Sequence, residues 1–200
     1  LQPDAFPHDH GLIYQDFKSL VYDSGEYEKS LDSAVRAIDW TGFPEEQAAR
    51  AAEGRALGIG LVCYVEGTGI GPYEGARVTV ESNGRVHVAM GVGTQGQGHA
   101  TAFAQVVAEQ VGVEVAEVRV VTGDTAEFHW GTGTFASRGA VVAANACHAA
   151  GLEVRQKILD YGAEALEAPI EDLEIESGRV FVRGAPDRAI SLGELALRAN

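Results

Sequence analysis

Cysteine is nearly absent from these 200 residues. Cys63 and Cys147 are the only two, far apart and outside any Cys-x-x-Cys spacing, which excludes a disulfide framework and a zinc ribbon. Cations are scarce as well: 15 Lys and Arg stand against 29 Asp and Glu, a formal net charge of −14. Such a balance argues against nucleic acid as a partner, because a phosphate backbone is met with clustered Lys and Arg. No run reaches the ~20 apolar residues of a spanning helix; the nearest, 140–152, is interrupted by Asn145 and His148. A basic-then-apolar leader is missing too, so the expected setting is the reducing cytoplasm. There is no nucleophile–base pair, no paired carboxylates and no Gly-x-Ser-x-Gly elbow. The six histidines lack ligand partners at metal spacing, and no catalytic or metal-ligating residue is assigned.

What the chain has in excess is glycine, 25 of 200 residues, against an average of about 7%. At 46% hydrophobic and 22% charged the remainder is ordinary globular composition, enough for one domain or two small ones. The first residue is Leu1 and its lead-in shows no period, so the chain reads as a piece of something longer.

Residues 1–27 are rich in proline, aromatics and acids without sustained periodicity, the pattern of an arm or linker. Leu31, Ala34, Val35 and Ile38 recur at helical spacing within 28–40, and Pro44, followed by Glu45 and Glu46, opens a second short helix. Residues 57–66 read as a buried strand. The alternating runs 76–81 and 85–90 flank Ser82-Asn83-Gly84, a hairpin signal because both turn residues must accept positive φ. A glycine-rich stretch, 91–98, leads into a helix over 101–111. A strand over 115–122 precedes a second loop, 123–138. A long helix, 138–166, has a first half of Ala, Val and Gly that should be buried on every side. A second hairpin spans 173–182, and Ser191 and Glu194 form a capping box for a last helix, cut off at Asn200. The predicted fold is α+β, a mixed, mostly antiparallel sheet with hairpins packed against long helices.

Gly91-Val-Gly93-Thr-Gln-Gly96 matches Gly-x-Gly-x-x-Gly, follows a strand and precedes a helix. Against a nicotinamide site stands the preceding strand, the second arm of a hairpin, where a parallel strand–helix–strand crossover is required. The underlying physics holds regardless: glycines let a ligand approach the backbone, and the helix start offers unpaired N–H groups to a phosphate. Gln95, Gln97, His99 and Thr101 add donors. The alternative is that the glycines serve only a tight turn and helix–sheet contact. In the second loop, Arg138 stands at a helix entrance, where a cation opposes the positive helix terminus. It needs an anionic ligand or a carboxylate partner, such as Asp124 or Glu127.

At these loops the sequence resembles the molybdenum hydroxylase family, the large subunits of carbon monoxide dehydrogenase, aldehyde oxidoreductase and xanthine dehydrogenase relatives. The resemblance runs through Tyr22-Asp-Ser-Gly-Glu-Tyr27, Gly58-Ile-Gly-Leu61, Tyr64-Val-Glu-Gly-Thr-Gly69 and Gly71-Pro-Tyr-Glu-Gly75. It continues in Gly93-Thr-Gln-Gly-Gln-Gly-His99, Phe103-Ala-Gln105, Gly123-Asp-Thr125 and Gly133-Thr-Phe-Ala-Ser-Arg138. It implies a connecting segment over 1–56 and a truncated molybdopterin-binding domain over 57–200. It further implies a molybdopterin cofactor with molybdenum, in the cytosine dinucleotide form. Gln95, Gly96, Gln97, Gly98, His99 and Thr101 would contact its pyrophosphate and nucleotide, with Thr134, Phe135, Ser137 and Arg138 closing the other side. The implied chemistry is water-dependent hydroxylation of an aldehyde or N-heterocycle, or oxidation of carbon monoxide. Electrons would pass to iron–sulfur and FAD groups on partner subunits or domains. The general-base glutamate and the substrate loop of the family find no match here, so the chain is expected to bind cofactor as part of a larger subunit and to be inactive alone. A nicotinamide-dependent dehydrogenase domain and a non-catalytic interaction module are the alternatives.

Overall fold

The computed structural model describes residues 1–15 and 17–199; Asn200, the expected end of the last helix, lies outside them. The chain divides into two compact units, Leu1–Glu66 and Gly67–Asn200.

In the first unit the expected irregular arm holds a hairpin, β1 (His8–Ile13) paired antiparallel with β2 (Ser19–Tyr22). Its period was hidden because the register slips between Asp9 and Ile13, where Gly11 sits at φ 67° and donates its N–H to Asp9 Oδ1 at 2.7 Å. His10 packs edge-on against Tyr22, and Tyr22 against Tyr27. Helices α1 (Tyr27–Ala37) and α2 (Phe43–Ala52) follow, close to the expected spans. Residues 57–66 are not the buried strand that their composition suggested. They form no ladder, and 58–66 are exposed, Val62 and Tyr64 to 81% and 79%. An apolar run marks a chain suited to pairing, but a strand exists only where a neighbour supplies the other half of its hydrogen bonds.

The second unit is built on a three-stranded sheet in the order β3 (Ala76–Val80), β4 (Val86–Met90), β5 (Val118–Thr122). The β3–β4 pair is the antiparallel hairpin read from Asn83-Gly84; Gly84 takes φ 83° and Asn83 Oδ1 accepts the N–H of Arg85 at 2.8 Å. The β4–β5 pair is parallel, with Val88 opposite Val120. The intervening helix α3 (His99–Val111) makes the crossover. The objection that β4 belongs to a hairpin therefore fails: one strand is both a hairpin arm and the first strand of a β–α–β unit.

A π-helical turn, Gly139–Ala143, runs into α4 (Ala144–Leu166). The first half of that helix is not buried on every side. Ala143, Cys147 and Gly151 face the core, whereas Val141, Asn145, His148 and Leu152 are exposed. An Ala- and Val-rich segment is uniformly apolar, so its pattern cannot say which face is covered. A second sheet, β6 (Leu173–Glu176), β7 (Arg179–Val182) and β8 (Ala185–Ser191), is antiparallel throughout. Its third strand was not expected, since the sequence pattern passes from the hairpin at 173–182 to the cap at Ser191; β8 is an edge strand, where its Pro186 is tolerated. The short helix α5 (Leu192–Arg198) closes the chain with both hydrogen bonds of the Ser191–Glu194 capping box present.

The core joins Val86, Val88, Met90 and Val92 to Phe103, Val107 and Val111 of α3 and to Ala143 and Cys147. Both cysteines are free thiols, and burial pushes that of Cys147 up to about 12, which leaves it inert at neutral pH. Phe103 is 1% exposed, whereas Leu197 is 65% exposed. Phe103→Ala should lower the unfolding free energy by about 3–5 kcal/mol through lost burial and a residual cavity. Leu197→Ala should cost less than about 0.5 kcal/mol. Urea denaturation of the two variants checks the contrast.

Candidate cofactor site

Because β4 and β5 are parallel neighbours, the loops leaving their carboxyl ends emerge side by side, the usual place for a ligand in such a unit. Residues 91–98 follow β4 and residues 123–138 follow β5. The Gly123 N–H bonds to Met90 O at 3.0 Å, and the Thr134 hydroxyl donates to the carbonyl of Gly93. Motifs some forty residues apart in sequence thus form one surface.

Gly91 and Gly131 make that contact possible. A Cβ on Gly91 would stand 1.8 Å from Trp130 O, and one on Gly131 would stand 2.5 Å from the Gly91 carbonyl group. For these two the turn-and-packing reading is correct. Farther along the first loop the situation reverses: a Cβ at Gly93, Gly96 or Gly98 would meet nothing within 4 Å. Gly96 and Gly98 sit at φ 94° and 84°, so glycine there also admits a left-handed turn. Gln95, Gly96, Gln97, Gly98 and Thr101 are all exposed. Gln97 Oε1 accepts the N–H of Gln95 at 2.6 Å and folds its amide over the loop. Among the described residues no side chain caps α3, and no acid lies in its first turn. The loop therefore ends on uncapped helix N–H groups, an electropositive terminus in an acidic protein.

Two expected residues lie behind this surface. His99 is 5% exposed, stacked on Phe103 at 4.7 Å, with Nδ1 buried and without a hydrogen-bond partner among the described residues. Burial lowers its pKa, which keeps the ring neutral. Arg138 is fully buried. Its Nε donates to Ile70 O at 3.2 Å, Nη1 to Gly133 O at 2.8 Å and to Glu74 Oε1, and Nη2 to Pro72 O. The carboxylate partner is Glu74, 64 residues upstream, and not Asp124, which caps Ala126, or Glu127, which lies beside Arg77. Glu74 lies within Gly71-Pro-Tyr-Glu-Gly75, a segment whose pattern gives it no role. Nothing in its neighbours marks it; the only signal was that an arginine at a helix entrance needs an acid somewhere.

Thr134 and Phe135 border the first loop's side of this segment, Phe135 being 46% exposed with its ring 5.0 Å from the Arg138 guanidinium carbon. Ala136 and Ser137 both adopt φ 48°, strained for L-residues and found where surrounding structure enforces the conformation. The π turn that follows is a further irregularity of a kind common at functional sites. An exposed glycine cradle, two neutral amides, the Thr101 hydroxyl and an uncapped helix start form a donor set suited to phosphate oxygens, with the Thr134 hydroxyl spent on the Gly93 carbonyl. The residues present fit a pyrophosphate-bearing cofactor.

Comparison with known proteins agrees with this chemistry. Residues 33–200 match the family described as molybdopterin cofactor-binding domain. The chain belongs to that family. It is 32% identical over 192 residues to the carbon monoxide dehydrogenase large chain of Hydrogenophaga pseudoflava, covering 89% of this chain and 24% of that protein. It is 36% identical over 175 residues to the 6-hydroxypseudooxynicotine dehydrogenase complex subunit gamma of Paenarthrobacter nicotinovorans, covering 88% and 22%. Among solved structures, quinoline 2-oxidoreductase from Pseudomonas putida 86 superposes over 98% of this chain and 25% of its own, with a TM-score of 0.65 at 29% identity. The chain therefore spans about a quarter of the length of these relatives. The matches support the molybdopterin reading and give none to the nicotinamide alternative.

The two kinds of glycine make different predictions. Gly91→Ala should cost more than about 2 kcal/mol of stability, since backbone must move to admit the methyl group, whereas Gly93→Ala should leave the melting temperature unchanged; thermal denaturation checks both. His99 gives a pH signature. Its folded pKa lies below the ordinary 6.5, so the unfolded state binds more protons as pH falls through that value, and stability is complete above it and lost below it. In His99→Gln that part of the acid-side loss should vanish from unfolding curves recorded across the range.

Proposed function

We propose that the full-length protein is the large subunit of a molybdenum hydroxylase and that this chain holds its cofactor between the two loops. The observation that carries the reading is the open backbone at Gly93, Gly96 and Gly98, running into the uncapped start of α3 beside Thr134. The cofactor is molybdopterin in its cytosine dinucleotide form. Gln95, Gly96, Gln97, Gly98 and Thr101 bind pyrophosphate and nucleotide through N–H, amide and hydroxyl donors, and Thr134, Phe135 and Ser137 close the opposite side. His99 supports the loop from beneath as a neutral ring, and Arg138 contributes through the shape of its segment.

When bound, the molybdenum centre supplies a two-electron oxidation with water as the oxygen source. The residues of this chain bind and orient that group; the base and the substrate contacts belong to sequence outside it. The substrate is an aldehyde, an N-heterocycle or carbon monoxide. Iron–sulfur and FAD groups on partner subunits take the electrons, and the assembly works in the cytoplasm.

Elemental analysis of the full-length protein purified from its host tests this. Molybdenum near one per protomer, with phosphorus near two after that of any co-purified FAD is subtracted, is the expected result for a dinucleotide cofactor; absence of molybdenum and of this phosphorus contradicts the reading. Gln97→Ala should lower molybdenum content severalfold without moving the melting temperature, and unchanged content would remove Gln97 from the site.

A further inference from the structure

We propose that Glu74 is a positioning residue for the cofactor. Acting through Arg138 and the N–H groups of Thr132 and Gly133, it holds the second loop in the conformation that presents Thr134 and Phe135. This rests on the cofactor reading above and assigns a role to a residue outside both loops.

The Glu74 side chain has no solvent exposure, nor has that of Arg138. Burying two charges is unfavourable unless their remaining donors and acceptors are satisfied. Here they are satisfied mostly by loop backbone. Glu74 Oε1 accepts from Thr132 N and Gly133 N, both at 3.1 Å, and Oε2 accepts from Thr132 N at 3.3 Å. The guanidinium returns a bond to Gly133 O and reaches Ile70 O and Pro72 O on Glu74's own segment. The pair therefore stitches residues 70–74 to residues 132–138 at both ends.

Loop 131–138 has no ladder to hold it, and it carries the two strained residues Ala136 and Ser137. A strained backbone relaxes unless neighbours over-determine it. Among the described residues, Gly69 N–H to Ala136 O at 3.1 Å and the Thr132 hydroxyl to Tyr73 O at 3.3 Å also cross this junction, but the ion pair makes more bonds across it than either and is the principal clamp. Beyond the clamp, Thr134 bonds the Gly93 carbonyl, and this bond sets the distance between the loops. Loss of Glu74 would release the strain and leave Arg138 as a buried charge without its carboxylate, spoiling the cleft while the sheet and helices, packed elsewhere, persist.

The test uses the full-length subunit, with Leu195→Ala as a control that weakens the core of this unit away from the loops. In wild-type protein produced without cofactor, the amides of Thr132 and Gly133 should exchange about a hundredfold more slowly than in an unfolded peptide, although they lie in no helix or strand. Glu74→Ala should raise that rate at least about tenfold. It should also cut molybdenum per folded protomer about tenfold relative to Leu195→Ala matched in melting temperature. Glu74→Gln, which keeps an acceptor oxygen, should fall between, and the exchange of Glu74 and Arg138 should not rescue, because a carboxylate at 138 cannot donate to carbonyls. Unprotected wild-type amides, or Glu74 variants that load molybdenum as the control does, would overturn the proposal. Should Glu74→Ala fail to fold, the wild-type exchange rates and Glu74→Gln decide. Molybdenum-free wild-type protein would count against the function reading alone, since the exchange measurement tests the clamp independently.

Discussion

The parallel pairing of β4 with β5 is the constraint on which the rest of the site depends. Parallel neighbours send their carboxyl ends in the same direction, so whatever follows them in sequence must share one edge of the sheet. That edge receives a glycine-rich run after β4 and a threonine- and glycine-containing loop after β5. Gly91 and Gly131 then let the two backbones touch. Fully buried Val86, Val88 and Val92 hold β4 down, α3 covers the crossover, and the loops converge because the strands beneath them do.

The electrostatics follow from the same layout. In a chain with net charge −14 an anion site depends on local positive potential, and the uncapped start of α3 with its exposed loop amides supplies it through dipoles. The cation that seemed made for the task is committed elsewhere. Arg138 lies under the second loop, neutralised by Glu74 and bonded to three carbonyls. Its bonds go to backbone as well as to Glu74, so what it offers this segment is geometric, and smaller, neutral groups are left to face the cleft. A neutral His99 beneath the first loop extends the pattern, with charge kept away from the cleft on both sides.

Much of this was legible in the sequence where local chemistry alone decides. Asn83-Gly84 specified the hairpin and Ser191 with Glu194 the last cap, because the atoms that satisfy those signals lie within three residues. The two loops that the structure brings together were legible by composition, and the family by the order of its motifs. What escaped depends on partners distant in sequence. The parallel register of β4 and β5 leaves no local trace, and the carboxylate for Arg138 came from 64 residues away instead of from its own loop. Residues 57–66 have the composition of a strand but no neighbour in the described structure. In α4, alanine on all sides concealed which face the core would take.

The proposed function puts the pyrophosphate of a molybdopterin dinucleotide between residues 95–101 and 134–137. A crystal structure of the full-length protein with its cofactor tests it directly. Phosphate oxygens are expected within hydrogen-bond distance of the backbone N–H groups at the loop–helix junction and of the Gln97 amide, with Arg138 still paired to Glu74. A cofactor bound away from both loops, or an Arg138 guanidinium turned out of its pocket onto the phosphate, would contradict it.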